Sequence, residues 1–139
     1  MRHLFLTLLL VFSAAAQAQS ILGKWETFDD KTKEKKAVVE IYKTNEVYYA
    51  KIVEKLLGDP AAICEKCEEE NKNKPIKGLV IIENIRKNGN KYEGGTILDP
   101  KTGEVYTCYL ELSNKNTLKV RGFLGFAVFG RTQYWIKKE

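Results

Sequence analysis

Histidine and methionine are almost absent from this sequence, which contains one of each, His3 and Met1. Both lie in an N-terminal segment whose removal is predicted below, so residues 19–139 contain neither. That part of the chain cannot use an imidazole general base, a Ser-His-Asp triad, a histidine metal site or a histidine-ligated haem. Only Ser20 and Ser113 remain as serines there, and neither lies in a Gly-x-Ser-x-Gly motif. The composition therefore predicts a protein that is not an enzyme and that holds no metal or other cofactor.

Long apolar runs are also scarce, and the one near the start, Leu4–Ala16, is short. It follows Arg2 and precedes a small-x-small site ending at Ala18, an order typical of a cleavable secretory signal. A membrane-spanning helix needs about 20 apolar residues, so an uncleaved anchor is only the alternative. We predict that residues 1–18 are a signal peptide. Residues 19–139 are then expected to form a single domain, periplasmic or extracellular, without a transmembrane segment.

Charge of one sign is not concentrated anywhere in the chain. Lysine and arginine number 23 against 18 aspartates and glutamates, which gives a formal net charge of +5. Basic and acidic residues are interleaved along the chain, as in residues 33–36, and this pattern is typical of a solvated surface. Because nucleic-acid binding requires basic residues clustered on one face, we predict no nucleic-acid partner.

Short segments that alternate apolar and polar residues are separated by turn residues along the whole domain. The period of two and the β-branched and aromatic content indicate strands rather than helices. About eight strands with short turns predict an all-β fold, an antiparallel up-and-down barrel, with an open sandwich as the alternative. A turn or two of helix is expected within Ala61–Asn71. The predicted strands are Lys24–Phe28, Ala37–Lys43, Glu46–Glu54, Leu79–Arg86, Lys91–Leu98, Glu104–Leu112, Thr117–Phe123 and Thr132–Lys138.

Cysteine occurs three times, and Cys64 and Cys67 form the one motif with reactive potential. Three interpretations compete for this Cys-x-x-Cys pair. A disulfide is favoured in an oxidising compartment. A redox site is the second interpretation, although no βαβ pattern surrounds the pair. A zinc site is the third, with Cys108 as a third sulfur ligand. Cys108 otherwise lies on a predicted inward face, where a lone cysteine behaves as a small hydrophobic residue.

An uncharged segment with three phenylalanines, Phe123–Gly130, connects the last two predicted strands. One interpretation is a strand that continues into the core. The other is an apolar rim to a cavity, or a patch for a membrane or a partner. Turns of a meander alternate between the two ends of a barrel, which places this segment at the end opposite the start of the first strand. The candidate rim residues are Phe126, Val128 and Phe129.

The first predicted strand opens with Gly23-Lys24-Trp25, a Gly-x-Trp sequence that resembles the lipocalin signature. The resemblance implies that Trp25 plugs one end of the barrel and that an arginine from late in the chain lies across its indole ring. Arg121 and Arg131 are the candidates for this cation–π contact. These residues are expected to have a structural role, not a catalytic one.

The domain as a whole resembles a bacterial family catalogued as domain of unknown function 2147. This resemblance implies an exported lipocalin-like barrel and carries over no catalytic residues. We therefore expect a protein that binds a small apolar or amphipathic ligand in the cell envelope. The alternatives are a structural or interaction protein with a solid barrel core and, third, a Cys-x-x-Cys redox or metal-binding protein. The matching stretches are Gly23–Trp25, Lys74–Leu79, Tyr92–Pro100, Gly103–Tyr106, Val120–Phe123 and Gly130–Trp135.

Overall fold

Eight β-strands follow one another along the chain in a computed structural model that describes residues 19–126 and 128–139. The predicted signal peptide lies outside the described residues. The strand that begins at Gly130 starts two residues earlier than predicted, because its first residues pair with the preceding strand. The strands are β1 (Gly23–Phe28), β2 (Lys35–Thr44), β3 (Val47–Lys55), β4 (Val80–Asn88), β5 (Lys91–Leu98), β6 (Val105–Asn114), β7 (Thr117–Phe123) and β8 (Gly130–Lys137).

Each strand pairs antiparallel with its neighbour in sequence, and β8 returns to pair with β1. The register of this last pair joins Trp25 to Lys137 and Glu26 to Ile136. The sheet is thus a closed up-and-down barrel, as predicted, and the open sandwich is excluded. Where β1 and β8 pair, closure removes the free edge that each strand would have in an open sheet.

Side chains alternate between the barrel interior and its outer surface. In β2, Val39 and Ile41 are buried, whereas Glu40 and Tyr42 between them are partly exposed. The same alternation buries Cys108 and Leu110 of β6 and turns Tyr109 outward. Apolar residues of all eight strands therefore form one continuous core inside the barrel.

The two ends of the barrel differ in their connections. At the short-turn end, two-residue turns join the strands. Asn45 and Glu46 of the first have φ angles of 49° and 66°, the backbone that such hairpins favour. The start of β1 lies at this end. Four longer connections lie at the other end, here called the loop end: residues 29–34, 56–79, 99–104 and 124–129.

The turn of helix expected within Ala61–Asn71 is present as a three-residue 3-10 helix, Glu69–Asn71. An isolated bridge pairs Ile63 with Pro75, so the segment folds back on itself as a compact loop. Among the described residues, no helix combines the length and the apolar character needed to cross a bilayer.

Candidate functional site

A cavity of about 250 Å³ occupies the barrel at the loop end. Its inner wall is formed by buried apolar side chains, among them Val39, Ile52, Val120 and Trp135. Trp25 is not part of this wall; its side chain fills the short-turn end of the interior. Residues of the loop-end connections, such as Pro100 and Leu124, also line the cavity, and most of its lining residues are apolar. The other lining residues are Thr27, Lys36, Ala37, Ile81, Ile97, Leu98, Asp99, Tyr106, Gly122, Phe123, Phe129, Gly130, Arg131 and Gln133.

Charged side chains are confined to the mouth of the cavity. Lys36, Asp99 and Arg131 all contribute to the lining there. One guanidinium nitrogen of Arg131 lies 2.9 Å from an Asp30 carboxylate oxygen, and the other lies 4.0 Å from Asp99. This network joins β8 to the turns that follow β1 and β5. The side chain of Arg131 remains 59% exposed, so the ion pairs are accessible to water and to a ligand head group.

Tyr106 places a hydroxyl group beside this mouth. The hydroxyl donates a hydrogen bond to the carboxylate of Glu104. Because the protonated phenol makes that bond, the pKa of Tyr106 is raised above its usual value, with burial and the nearby carboxylates adding to the effect. Tyr106 therefore remains a neutral hydrogen-bonding group at physiological pH.

The three candidate rim residues do not all contribute to the cavity. Phe129 lines it, together with Leu124 of the same connection. Phe126 and Val128 are 77% and 74% exposed and lie outside the wall. The structure thus corrects the expectation that all three border the cavity. The reversal of the chain between β7 and β8 turns two of the side chains away from the mouth.

Trp25 fills the barrel interior near the short-turn end, with none of its surface exposed. Its indole nitrogen donates a hydrogen bond of 2.8 Å to the carbonyl oxygen of Ile21, which is itself fully buried. The cation over the indole ring is Lys137, whose Nζ lies 5.4 Å from the ring centroid. The predicted plug residue is therefore in place, but its cationic partner is a lysine.

Neither predicted arginine occupies the position across Trp25. Arg131 lies at the opposite end of β8, bound to Asp30 and Asp99. Arg121 is paired with outward-facing Tyr109 and donates a 2.8 Å hydrogen bond to the Thr132 hydroxyl. The physical reason is register: Lys137, directly opposite Trp25 on the β1–β8 pair, points to the same face.

Cys64 and Cys67 are joined by a disulfide, the interpretation favoured from the sequence. Both are buried, with 0% and 2% of their surface exposed. The Sγ atom of Cys64 lies 3.5 Å from the carbonyl oxygen of Pro100, so the loop packs against the β5–β6 turn that borders the cavity. A bonded, buried pair has no thiolate to offer a metal or a substrate disulfide. In the described part of the chain, no cluster of three or more potential ligands could hold a metal ion.

Cys108 is the remaining cysteine and is expected to react very slowly in the folded protein. Its side chain is 1% exposed, and burial raises the pKa of its thiol to about 12. The thiolate that alkylating reagents attack is therefore scarce at pH 8. Thiol counting should detect no fast-reacting cysteine in the native protein, one after unfolding, and three after unfolding with a reductant. Two fast thiols without a reductant would contradict the disulfide.

Sequence reasoning missed the charged groups at the mouth. Lys36 and Asp99 occur in stretches rich in turn residues and lysines, where a solvated surface is the ordinary interpretation. Arg131 was identified, but for a role at the wrong end of the barrel. The alternation along β8 was a usable signal, because it places Arg131, Gln133, Trp135 and Lys137 on the same face.

The comparisons with known proteins agree with this geometry. The family model described as an uncharacterized protein conserved in bacteria, domain of unknown function 2147, matches residues 23–137. The fold is similar to a solved structure described as "Protein HP1028 from the human pathogen Helicobacter pylori belongs to the lipocalin family". That likeness has a TM-score of 0.78 and 18% sequence identity, and covers 88% of this chain and 85% of that chain. No curated protein matches the sequence.

Proposed function

Since the chain belongs to the bacterial family of domain of unknown function 2147 and folds as a lipocalin-like barrel, we propose that it binds one small amphipathic ligand. The apolar part of the ligand enters the cavity at the loop end, and its polar group stays at the mouth. The protein is proposed to act without catalysing a reaction, as a binding protein of the cell envelope.

The cavity is the observation that carries this proposal. A closed barrel of eight strands can be filled by its own side chains or can hold one small ligand. Here a space of about 250 Å³ remains between Val39, Ile52, Val120 and Trp135. Apolar surroundings offer water few hydrogen bonds, so an apolar ligand gains free energy by displacing it. This favours ligand binding over the alternative of a solid structural barrel.

The groups at the mouth define the kind of polar head group that fits. Lys36 and Arg131 offer cationic donors, Tyr106 offers a hydroxyl, and Asp99 offers an acceptor. Such a mixed set suits a head group that both accepts and donates hydrogen bonds, such as a carboxylic acid or a hydroxylated group. A purely hydrocarbon ligand would leave these groups to water and would be held by its apolar contacts alone.

Export is supported by the N-terminal pattern and by the disulfide. The order of basic residue, apolar run and small-x-small site is that of a secretory signal. Disulfides persist in oxidising compartments such as the periplasm. The proposal therefore places the protein outside the cytoplasm, where N-terminal sequencing of the purified protein should begin at Gln19.

The proposal is tested by filling the cavity with the protein's own side chain. Val120→Phe places a phenyl group inside the wall and excludes about two or three methylene groups of the ligand. At about 0.8 kcal/mol for each methylene, the affinity for a fluorescent fatty-acid analogue should fall about 30-fold. The measurement is a fluorescence titration of protein purified from cells expressing the full-length chain.

The control is the same substitution outside the cavity. Val105 is 54% exposed and does not line the cavity, so Val105→Phe should leave the affinity unchanged. Urea denaturation establishes that both variants remain folded. If wild-type protein binds no analogue, or if both variants bind it as well as wild type does, the cavity is not the binding site.

A further inference from the structure

The connection between β7 and β8 exposes an unusual amount of apolar surface. Leu124, Phe126, Val128 and Phe129, here called the lip, are 60%, 77%, 74% and 69% exposed. No residue from 124 to 129 is charged. Large apolar side chains exposed together usually mark a surface that meets a partner or a membrane.

The lip is continuous with the mouth of the cavity. Leu124 and Phe129 belong to both, since each is exposed at the surface and also lines the cavity. Among the described residues of this connection, the Leu124 amide donates a hydrogen bond to the Phe129 carbonyl at 3.3 Å, and the Phe129 amide donates one to the Phe126 carbonyl at 3.0 Å. Leu124 and Phe129 therefore connect the exposed apolar surface of the lip to the apolar wall of the cavity.

We propose that the lip inserts into the interfacial layer of a phospholipid bilayer, where the cavity takes up its ligand. The part of this proposal that concerns ligand uptake rests on the proposed function, whereas membrane contact by the lip stands on its own observations. Binding would be peripheral and reversible, through the loop end alone.

The area of the lip favours a bilayer over a second copy of the chain. Four side chains of this size, exposed to this extent, present on the order of 500 Å². A stable protein interface buries about 800 Å² on each partner. A bilayer has no such threshold, because insertion of a few apolar side chains into the headgroup–acyl boundary already gives reversible binding.

Two basic side chains near the lip fit the same orientation, and one of them, Arg131, is ion-paired with Asp30 and Asp99. Arg121 and Arg131 lie in the strands on either side of it, and an Arg121 guanidinium nitrogen lies 3.4 Å from the Val128 carbonyl. With the lip at the acyl boundary, these arginines would lie at the level of the lipid headgroups. Arginine suits that position, since it keeps its charged group in the polar layer while its stem contacts apolar surface.

The first experiment tests, by tryptophan quenching, whether the lip reaches the acyl chains of a bilayer. The two native tryptophans, Trp25 and Trp135, are 0% and 2% exposed and so are shielded from a quencher in a membrane. Phe126→Trp adds one at the lip, and vesicles of phosphatidylcholine with brominated acyl chains should quench its emission. The matched control, Ile136→Trp, places an exposed tryptophan on the strand segment next to the short-turn end and should not be quenched.

The second experiment measures affinity for the vesicles by co-sedimentation. The double variant Phe126→Ser with Val128→Ser removes the two lip residues that do not line the cavity. Its partition coefficient should fall about 100-fold, the effect of withdrawing two large apolar side chains from an apolar phase. The control replaces exposed apolar residues at the other end of the barrel, Leu22→Ser with Ile136→Ser, and should keep the wild-type partition coefficient.

The outcomes separate this inference from the proposed function. The lip double variant should keep its affinity for the soluble fatty-acid analogue, and Val120→Phe should keep its partition into vesicles. Wild-type protein that binds the analogue but not the vesicles would overturn the lip proposal and leave the cavity proposal standing. A dimer in sedimentation equilibrium that the lip double variant abolishes would identify a second copy as the occupant and would also overturn it.

Discussion

Replacing Trp25 by alanine should lower the free energy of unfolding by about 3–5 kcal/mol, the cost of deleting a large aromatic side chain from a packed core. The indole ring is fully buried and fills the interior at the short-turn end. The substitution also leaves the Ile21 carbonyl without the hydrogen bond that it accepts at 2.8 Å. Urea denaturation of wild type and variant gives the difference directly.

Two control variants show how much of this loss comes from burial of the indole ring and how much from the cation above it. Tyr134 is 53% exposed on the outer surface of β8, so Tyr134→Ala should cost less than about 1 kcal/mol. Lys137→Met removes the cation over the Trp25 ring and keeps the aliphatic stem; we expect a loss of about 0.5–1 kcal/mol. A Trp25→Ala loss as small as that of Tyr134→Ala would show that Trp25 does not plug the barrel.

Gly103→Ala should destabilise the protein by about 3 kcal/mol, through backbone strain and a steric clash together. Gly103 has a φ of +76°, which disfavours a side chain, and an added Cβ would lie 1.9 Å from the Lys66 carbonyl oxygen. The β5–β6 turn and the disulfide loop would have to separate to make room. The variant should therefore also be cleaved faster by proteases within residues 56–78.

Gly89→Ala is the matched control for this prediction. Gly89 also lies in a turn, with a φ of +63°, but no atom lies within 4 Å of a Cβ at that position. Only the backbone strain remains, about 1 kcal/mol. Equal losses in the two variants would mean that the disulfide loop does not press against the β5–β6 turn in solution.

The barrel could be predicted from sequence because its signals are local. Apolar and polar residues alternate along strands such as β2 and β6. Turn residues such as Gly89 separate the strands at short intervals, and together these patterns predict a series of antiparallel strands. The pairing of β2 with β3, of β4 with β5 and of β6 with β7 follows from their connections, since strands joined by two residues have to be neighbours. The family resemblance also depended on local motifs and is confirmed by the match over residues 23–137.

The site was less predictable because its features depend on register between strands far apart in sequence. Lys137 lies over Trp25 only because β8 pairs with β1 at one specific offset. The cavity depends on the sizes of side chains that meet from many strands, such as Val39, Ile52 and Val120, and no local pattern encodes the space left between them.

The joint between β1 and β8 has a consequence for the order in which the barrel assembles. Every other strand pair joins neighbours in sequence, and six of these seven pairs have connections of two or six residues, so they can form as hairpins with little loss of chain entropy. This last pair joins residues more than 100 positions apart, and its register contains two residue pairs, Trp25 with Lys137 and Glu26 with Ile136. Loop closure over that length is the most costly step entropically. We therefore expect the eight strands to form first as an open sheet. The two outer strands, β1 and β8, then pair last, and this step completes the burial of the Trp25 side chain.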